Sequence, residues 1–452
     1  MIALWLLLST QVSLAEHAER RERLISAFPD GIVLLHARSA PSSLGEPSFK
    51  QDATFLYFAG LANQPAAILA IDGPRKESLL FVPQAPALFG AKVEDVSLTP
   101  GEESARAHGF SRVEPWESFL PYVKKRLSEG VRKLYVDEAR SAEFPGNPEP
   151  MLPIAGDKLL WRRSVEAAFP GVEIGSAEAA IRAMRWAKSK GEVEALREVA
   201  RTSASALLAG IRAVDVGKSQ RLSEAAVVSA CFEAGATAPS FWPWTMSGPN
   251  AHLGNVVRSF FDYEHLNREM KDGELVRMDV GCALSNYEGD VGRTVPVSGR
   301  FNADQRETLD LLVRAYRAAL RAMKGGVTLE TVMGRARSEV EQAQATLQTE
   351  YALRAAAHLV QAPLRETWHI HGVGLDGGET GTDTLEVGSV IAFEPMFSVD
   401  EDAYYMEDMI LVTETGHEIL TKGLPYTAAE IEAVMEGIHR IRNDGADPAV
   451  PD

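Results

Sequence analysis

The sequence predicts an α/β protein of mixed α+β character, and three observations carry that reading. Apolar runs bounded by turn residues alternate with helical patterns in the first third of the chain. Two long helical stripes follow in the middle. The last third holds strand-like runs close enough to pair as hairpins. At 452 residues the chain has room for two or three domains, with 45% apolar residues to fill their cores.

Residues 31–37, 66–71 and 79–82 read as buried strands, and Asp72, Gly73 and Pro74 mark a turn between two of them. Ser189 and Glu192 have capping-box spacing ahead of Val193, Leu196, Ala200, Ser203 and Leu207, which recur at helical spacing. A second helix spans about 303–323. Asn302 can cap it, Leu309, Leu312, Val313, Tyr316 and Leu320 form its apolar stripe, and Gly325 can end it. Further on, Val276, Met278 and Val280 alternate on one strand face and leave Asp279 on the other. Asp290 follows at hairpin distance. Residues 389–394 and 407–412 are two more strands, ending and beginning on Glu394 and Glu407, and His371 precedes them on a loop or strand edge. Two hairpins would thus gather four carboxylates, which cannot stay buried and unpaired without cations.

A net charge of −17 and the lack of a polybasic run exclude nucleic acid as an expected partner. Cys231 and Cys282 have neither metal-ligand spacing nor the density of a disulfide scaffold, so two separate buried thiols are expected. Residues 2–8 form a short apolar run, and Ser13, Leu14 and Ala15 have the pattern of a signal-peptidase site. Residues 1–15 are therefore expected to be a signal peptide, cleaved after Ala15, that sends the protein to the periplasm or outside the cell. An uncleaved leader would leave it cytoplasmic. The run is too short to span a bilayer, so no stable membrane anchor is expected.

Asp279, Asp290, His371, Glu394 and Glu407 suit a dinuclear metal site, because two nearby divalent cations can polarise a carbonyl and activate a shared water. Their contexts are LVRMDVG at 275–281, YEGDVGRTVPV at 287–297, HGVGLD at 371–376, FEP at 393–395 and MEDMILVT at 406–413. In this order they resemble the pita-bread metallopeptidases, and within them the Xaa-Pro aminopeptidases (aminopeptidase P) and prolidases. The stretch FKQDATFLYFAGL at 49–61 resembles the family's creatinase-type N-terminal domain, and RWAKSKGE at 185–192 resembles its opening to the catalytic domain. The resemblance implies a creatinase-like α/β domain over residues 16–175. A pita-bread catalytic domain over 176–440, with an antiparallel sheet and flanking helices, and a tail over 441–452 would follow. It implies two divalent metal ions, manganese in the first place, with cobalt or zinc accepted. Asp279 would chelate one metal, Asp290 and Glu407 would bridge both, His371 and Glu394 would complete the other, and Glu394 would shuttle a proton. The implied activity is removal of an N-terminal residue before proline. The alternatives are a prolidase-like dipeptidase and a divergent or retired peptidase. Expected partners are peptides with proline at the second position and further copies of the chain.

The chain departs from the family where two further histidines meet the substrate. Asp262 and Gly378 stand at those positions, Tyr405 replaces an arginine two residues before Glu407, and Met396 replaces a glycine. His265, three residues beyond Asp262 in an expected loop, is the candidate for the missing catalytic donor, with His252 or His369 as fallbacks. His369 reads foremost as a residue behind the ligands or at the surface, and His36, His252, His358 and His417 read as structural. Residues 248–251 resemble the loop leading to the cleft. The aromatics Phe241, Trp242 and Trp244 before it read either as core packing or as an apolar wall for a small ring.

Overall fold

The structure is a computed structural model that describes residues 12–39, 49–84, 87–88, 91–92, 97–138 and 157–444. Most of the expected leader (1–11) and of the expected tail (445–452) lies outside the described residues. The chain divides into two compact units, Met1–Glu192 and Val193–Asp452.

In the first unit Ser13 opens α1 (Leu14–Ala27) with a capping box: its hydroxyl accepts from the Glu16 amide, and the Glu16 side chain accepts from the Ser13 amide. The apolar runs become β1 (Ile32–His36), β2 (Ile68–Asp72) and β3 (Glu77–Val82). The short ribbon β4 (Ala87–Leu88) and β5 (Ala91–Lys92) follows, then β6 (Arg112–Pro115), β7 (Lys133–Val136) and β8 (Glu173–Ser176). They form a six-stranded mixed sheet in the order β6-β3-β2-β1-β7-β8. Helices α2 (Ala53–Ala59), α3 (Glu102–His108), α4 (Phe119–Ser128), α5 (Asp157–Ala168) and α6 (Glu178–Trp186) complete the unit. Ile32, Leu34, Ala70, Leu79 and Phe81 pack against Phe119 and Val123 of α4 and Val165 of α5. Arg126 then pins α4 to the sheet through Asp72 at 2.6 Å. The Tyr57 hydroxyl of α2 donates to the Met184 carbonyl of α6 at 2.7 Å, so α6 packs with this unit rather than after it.

The second unit begins in α7 (Lys190–Ala213), capped by the Ser189–Glu192 box that the spacing predicts. Then come α8 (Gln220–Glu233), β9 (Ala238–Pro239), β10 (Trp244–Ser247), α9 (Leu253–Leu266), β11 (Leu275–Val280), β12 (Cys282–Leu284), β13 (Tyr287–Glu288) and β14 (Val291–Pro296). Helices α10 (Ala303–Ala322), α11 (Leu329–Ala343), α12 (Glu350–Gln361) and α13 (Leu364–Thr367) lead to β15 (Trp368–Gly372), β16 (Val390–Val399), β17 (Asp402–Val412), β18 (His417–Ile419) and α14 (Ala428–Asp444). The main sheet is antiparallel throughout, in the order β10-β11-β14-β17-β16-β15 with β18 beside β17. Helix α10 lies behind it, with Tyr316 stacked on Phe393 of β16 at 4.9 Å.

One expectation about the cysteines is corrected. Cys231 of α8 and Cys282 of β12 form a disulfide, with Cα atoms 5.5 Å apart. A separation of 51 residues carries no local signal. The pair meets because β9, which follows α8, zips onto β12.

Behind the sheet, Arg293 of β14 and Asp408 of β17 form an ion pair at 3.0 Å with neither side chain exposed. Replacing Asp408 with Ala leaves Arg293 buried and unpaired and should cost about 3–5 kcal/mol, whereas Arg293→Met with Asp408→Leu should be far milder. Urea unfolding of the three proteins checks the order; a single variant as stable as the double one would contradict it.

Candidate metal centre

The front face of the main sheet gathers the acids because strand alternation puts every second residue there. The ladder runs from Trp244 to Asp279, Asp279 to Gly292, and Gly292 to Glu407 across β10, β11, β14 and β17. Asp290 precedes Gly292 by two residues and so shares its face. On the far side His369 pairs with Glu394 across β15 and β16, and His371 lies two residues on. Arg277 and Tyr405 fall on the same face, two residues before Asp279 and Glu407.

Four of the five expected ligands meet at one point. His371 Nε2 lies 3.2 Å from Glu394 Oε1, 3.6 Å from Asp290 Oδ2 and 3.9 Å from Glu407 Oε1. Its Nδ1 is 3.0 Å from the Gly372 carbonyl, a bond that turns Nε2 toward the acids. Asp279 stands at the Arg277 side, 3.6 Å from that guanidinium, and its carboxyl feels the charge of Glu394 and His371.

Burial and mutual repulsion govern these groups. Burial, only partly opposed by Arg277, pushes the Asp279 carboxyl up to about 6. Burial and the neighbouring acids drive Asp290 and Glu407 well above the usual carboxylate range. Burial alone would depress His371, but the bond to Glu394 and the charges of Glu394 and Glu407 prevail and raise it to about 9. Burial likewise opposes ionisation of Glu394, yet the bonds from His369 and His371 hold it well below its ordinary value. Glu407 Oε1 is buried without a hydrogen-bond partner among the described residues. An orphaned carboxylate oxygen beside three other acids and an imidazole is a donor set that fits divalent cations and lacks enough protein cations to balance it.

Tyr405, expected only as a departure, has a specific place. Its hydroxyl sits 2.7 Å from Glu407 Oε2 and 2.9 Å from Glu394 Oε2. Its ring crosses Gly292, where any Cβ would collide with it. The Arg277 guanidinium stacks on that ring, 4.1 Å from the centroid. Sequence reasoning missed Arg277 and the contact of His369 with Glu394. The two-residue spacing of Arg277 from Asp279, and of His369 from His371, was the available signal.

His265 is corrected. Residues 253–266 form a helix, α9, with a kink at Asp262, and not a loop. The His265 side chain is 76% exposed and is tied to Asp262 of its own helix at 2.5 Å, so it is not brought to the acids. Gly378 is exposed on the segment after His371. Phe241 and Trp244 stack at 5.7 Å, and Trp244 packs on the cluster of Met246, Ala251, Val256 and Ala403. Its ladder position opposite Asp279 also makes it the sheet's apolar neighbour to the acids.

The shifts fix a sign for pH dependence. In metal-free protein Asp279 binds its proton more tightly folded than unfolded, so its contribution to stability falls as pH rises from about 4 through about 6. His371 contributes stability below 6.5 that is lost as pH rises through about 9. Glu394 acts oppositely, but only below 4.5. The chelated protein should therefore lose thermal stability between pH 5 and 9. Protein saturated with a divalent cation should lose it on acidification, because protons displace the ligand. Melting curves with chelator and with metal across that range check both slopes; parallel profiles would contradict the assignment.

Comparison with known proteins agrees with this geometry. Residues 194–414 match the model of metallopeptidase family M24, and residues 17–135 match that of the aminopeptidase P N-terminal domain. An Xaa-Pro aminopeptidase of Haemophilus influenzae is 25% identical over 450 residues, spanning 93% of this chain and 97% of the relative. One from Escherichia coli is 26% identical over 461 residues, spanning 94% and 98%. Among solved structures, E. coli aminopeptidase P with the inhibitor Pro-Leu superposes with a TM-score of 0.73 at 23% identity, covering 95% of this chain and 100% of that one. Pseudomonas aeruginosa aminopeptidase PepP gives the same values, 0.73 and 23%, over 95% and 100%. The architecture is thus the expected pair of domains, an aminopeptidase P-type N-terminal domain followed in sequence by a pita-bread domain. The two family models together span most of the chain, and the fold they imply is the one observed, which places the chain in metallopeptidase family M24.

Proposed function

We propose that this chain is a dinuclear metallo-aminopeptidase that removes an N-terminal residue preceding proline. The observation that carries the reading is the convergence of Asp290, Glu394 and Glu407 on His371 Nε2, with Asp279 on the same sheet face. Asp279 would hold one cation, Asp290 and Glu407 both, and His371 with Glu394 the other. When bound, the two cations supply Lewis acidity for the scissile carbonyl and acidity for a shared water. Carboxylate-rich donors suit manganese, and the imidazole admits cobalt or zinc. Glu394, held by His369, His371 and Tyr405, is placed to carry a proton from the attacking water to the leaving amine. Trp244 and Phe241 offer an apolar wall beside these groups. Assembly with further copies of the chain belongs to the same reading, and light scattering gives the stoichiometry.

The test is hydrolysis of Xaa-Pro-containing tripeptides and longer peptides by metal-loaded protein. Chelation should abolish it. Asp290→Asn and Glu407→Gln should each lower kcat by about 10²–10³-fold or more and remove most of the thermal stabilisation that manganese confers. A dipeptide-only profile would move the assignment to a prolidase. Metal uptake without hydrolysis of either class would point to a divergent substrate or a retired enzyme.

We further propose that the protein works in an oxidising compartment, the periplasm or the cell exterior. The apolar run before Ala15 supports this, as does the Cys231–Cys282 disulfide, since such bonds persist where thiols are not kept reduced. Cleavage after Ala15 would remove the Ser13 cap but keep His17, Arg20, Arg21 and Leu24, the buried residues of α1. Protein from the native host should start at or near Glu16 and show no free thiol, and reduction should cost about 2–4 kcal/mol of stability. An intact Met1 together with two free thiols would sink the proposal. No helix among the described residues is long and apolar enough to cross a membrane.

A further inference from the structure

We propose that His369 is a sixth protein ligand of the metal centre, on the same cation as His371 and Glu394, and that it makes this half of the centre prefer zinc or cobalt to manganese. The inference rests on the dinuclear reading above and goes beyond its five ligands.

Alternation on β15 puts His369 and His371 on one face, with ring centroids 5.4 Å apart and planes tilted by 42°. Both rings address the same oxygen. His369 Nδ1 is 2.6 Å and His371 Nε2 is 3.2 Å from Glu394 Oε1. The donor atoms of the three residues all lie within 4.8 Å of one another. On a tetrahedral zinc ion, ligands at about 2.0–2.2 Å stand roughly 3.3–3.6 Å apart. The two contacts to Glu394 Oε1, at 2.6 and 3.2 Å, are already inside that spacing, and the third pair lies within 4.8 Å. Asp290, His371 and Glu407 form a second such trio that shares His371. One imidazole nitrogen cannot serve two cations, so with His371 beside Glu394 the centre offers two unlike surroundings: two nitrogens and a carboxylate here, and the carboxylates of Asp279, Asp290 and Glu407 at the other.

His369 stands on the edge strand of the sheet, and its side chain is 47% exposed. Among the described residues its one hydrogen-bond partner is Glu394. A hydrogen bond of 2.6 Å joins the ring to the acid. A divalent cation shared by Nδ1, Nε2 of His371 and Glu394 would replace that hydrogen bond and draw the three donors around one point, while the exposed side stays open for a fourth ligand. Imidazole nitrogen strengthens binding of cobalt and zinc more than that of manganese, which favours carboxylate and water oxygen. The simpler alternative is that His369 donates to Glu394 and orients it without touching metal.

Calorimetric titration of chelated full-length protein with manganese, cobalt and zinc salts separates the two, alongside X-ray absorption of the zinc-loaded protein. Wild type should take up two cations and bind zinc at one site at least about 10²-fold more tightly than manganese. His369→Ala should weaken zinc there by about 10–100-fold or more, with manganese changed less than about threefold, so that the preference collapses. His369→Gln keeps a hydrogen-bond donor for Glu394 but has no imidazole lone pair, so it should behave like the alanine variant. The absorption spectrum of wild type loaded with one equivalent of zinc should require two imidazoles per zinc at about 2.0–2.1 Å, a measurement that needs no variant to fold. An equal loss for all metals, recovery by glutamine, or one imidazole in wild type would overturn the proposal and leave the dinuclear reading intact. Failure of wild type to take up any divalent cation would overturn both.

Discussion

The metal face depends on an ion pair that lies behind it. Arg293 and Asp408 are wholly buried, and neither keeps an unsatisfied charge. Arg293 donates to the carbonyls of Gly292, Glu407 and Pro425 as well as to Asp408. Asp408 in turn accepts from the hydroxyls of Tyr316, Thr421 and Tyr426. Such a pair survives burial only when its remaining donors and acceptors are filled. It matters here because β14 and β17 share just the register pairs Gly292–Glu407 and Arg293–Met406. The guanidinium bonds to main chain on both strands at that junction, and so holds Asp290 and Glu407 at a separation a short ladder would define poorly.

The two faces of these strands thus carry charge under opposite regimes. Behind, one cation and one acid close on each other and on hydroxyls. In front, four acids face two histidines and one partly engaged arginine, and the surplus shows as raised carboxyls and an orphaned Glu407 oxygen. An imbalance of this size inside a fold is costly unless something that binds the folded state removes it. Tyr405 tempers the imbalance without resolving it. Its one hydroxyl proton serves Glu394 or Glu407 at a time, and its ring fits only because position 292 has no side chain beyond Cα.

Residues 275–281 show why much of this was legible in advance. Alternation of Val276, Met278 and Val280 defines a buried back, so Asp279 must face forward, and the same logic applies to the strands of Glu394 and Glu407. Capping at Ser189 and Asn302 is local chemistry and is seen as expected. His265 was misplaced because the expected loop is a helix, which turns that side chain to solvent. Leu253, Val256, Val257, Phe260 and Phe261 recur at helical spacing, a signal for this helix that the loop expectation passed over.

The sequence by itself determined the strands, the caps, and the alternation that turns each candidate ligand toward the acid face. These are properties of neighbours along the chain, where a period of two or a capping box is written within a few residues. Only the tertiary structure decided what meets across strands: the disulfide between Cys231 and Cys282, the Tyr405 ring over Gly292 beneath Arg277, and the closure of His369 and His371 on one oxygen of Glu394. Such contacts follow from register and strand order, which distant pairings set and which leave no mark at any one position.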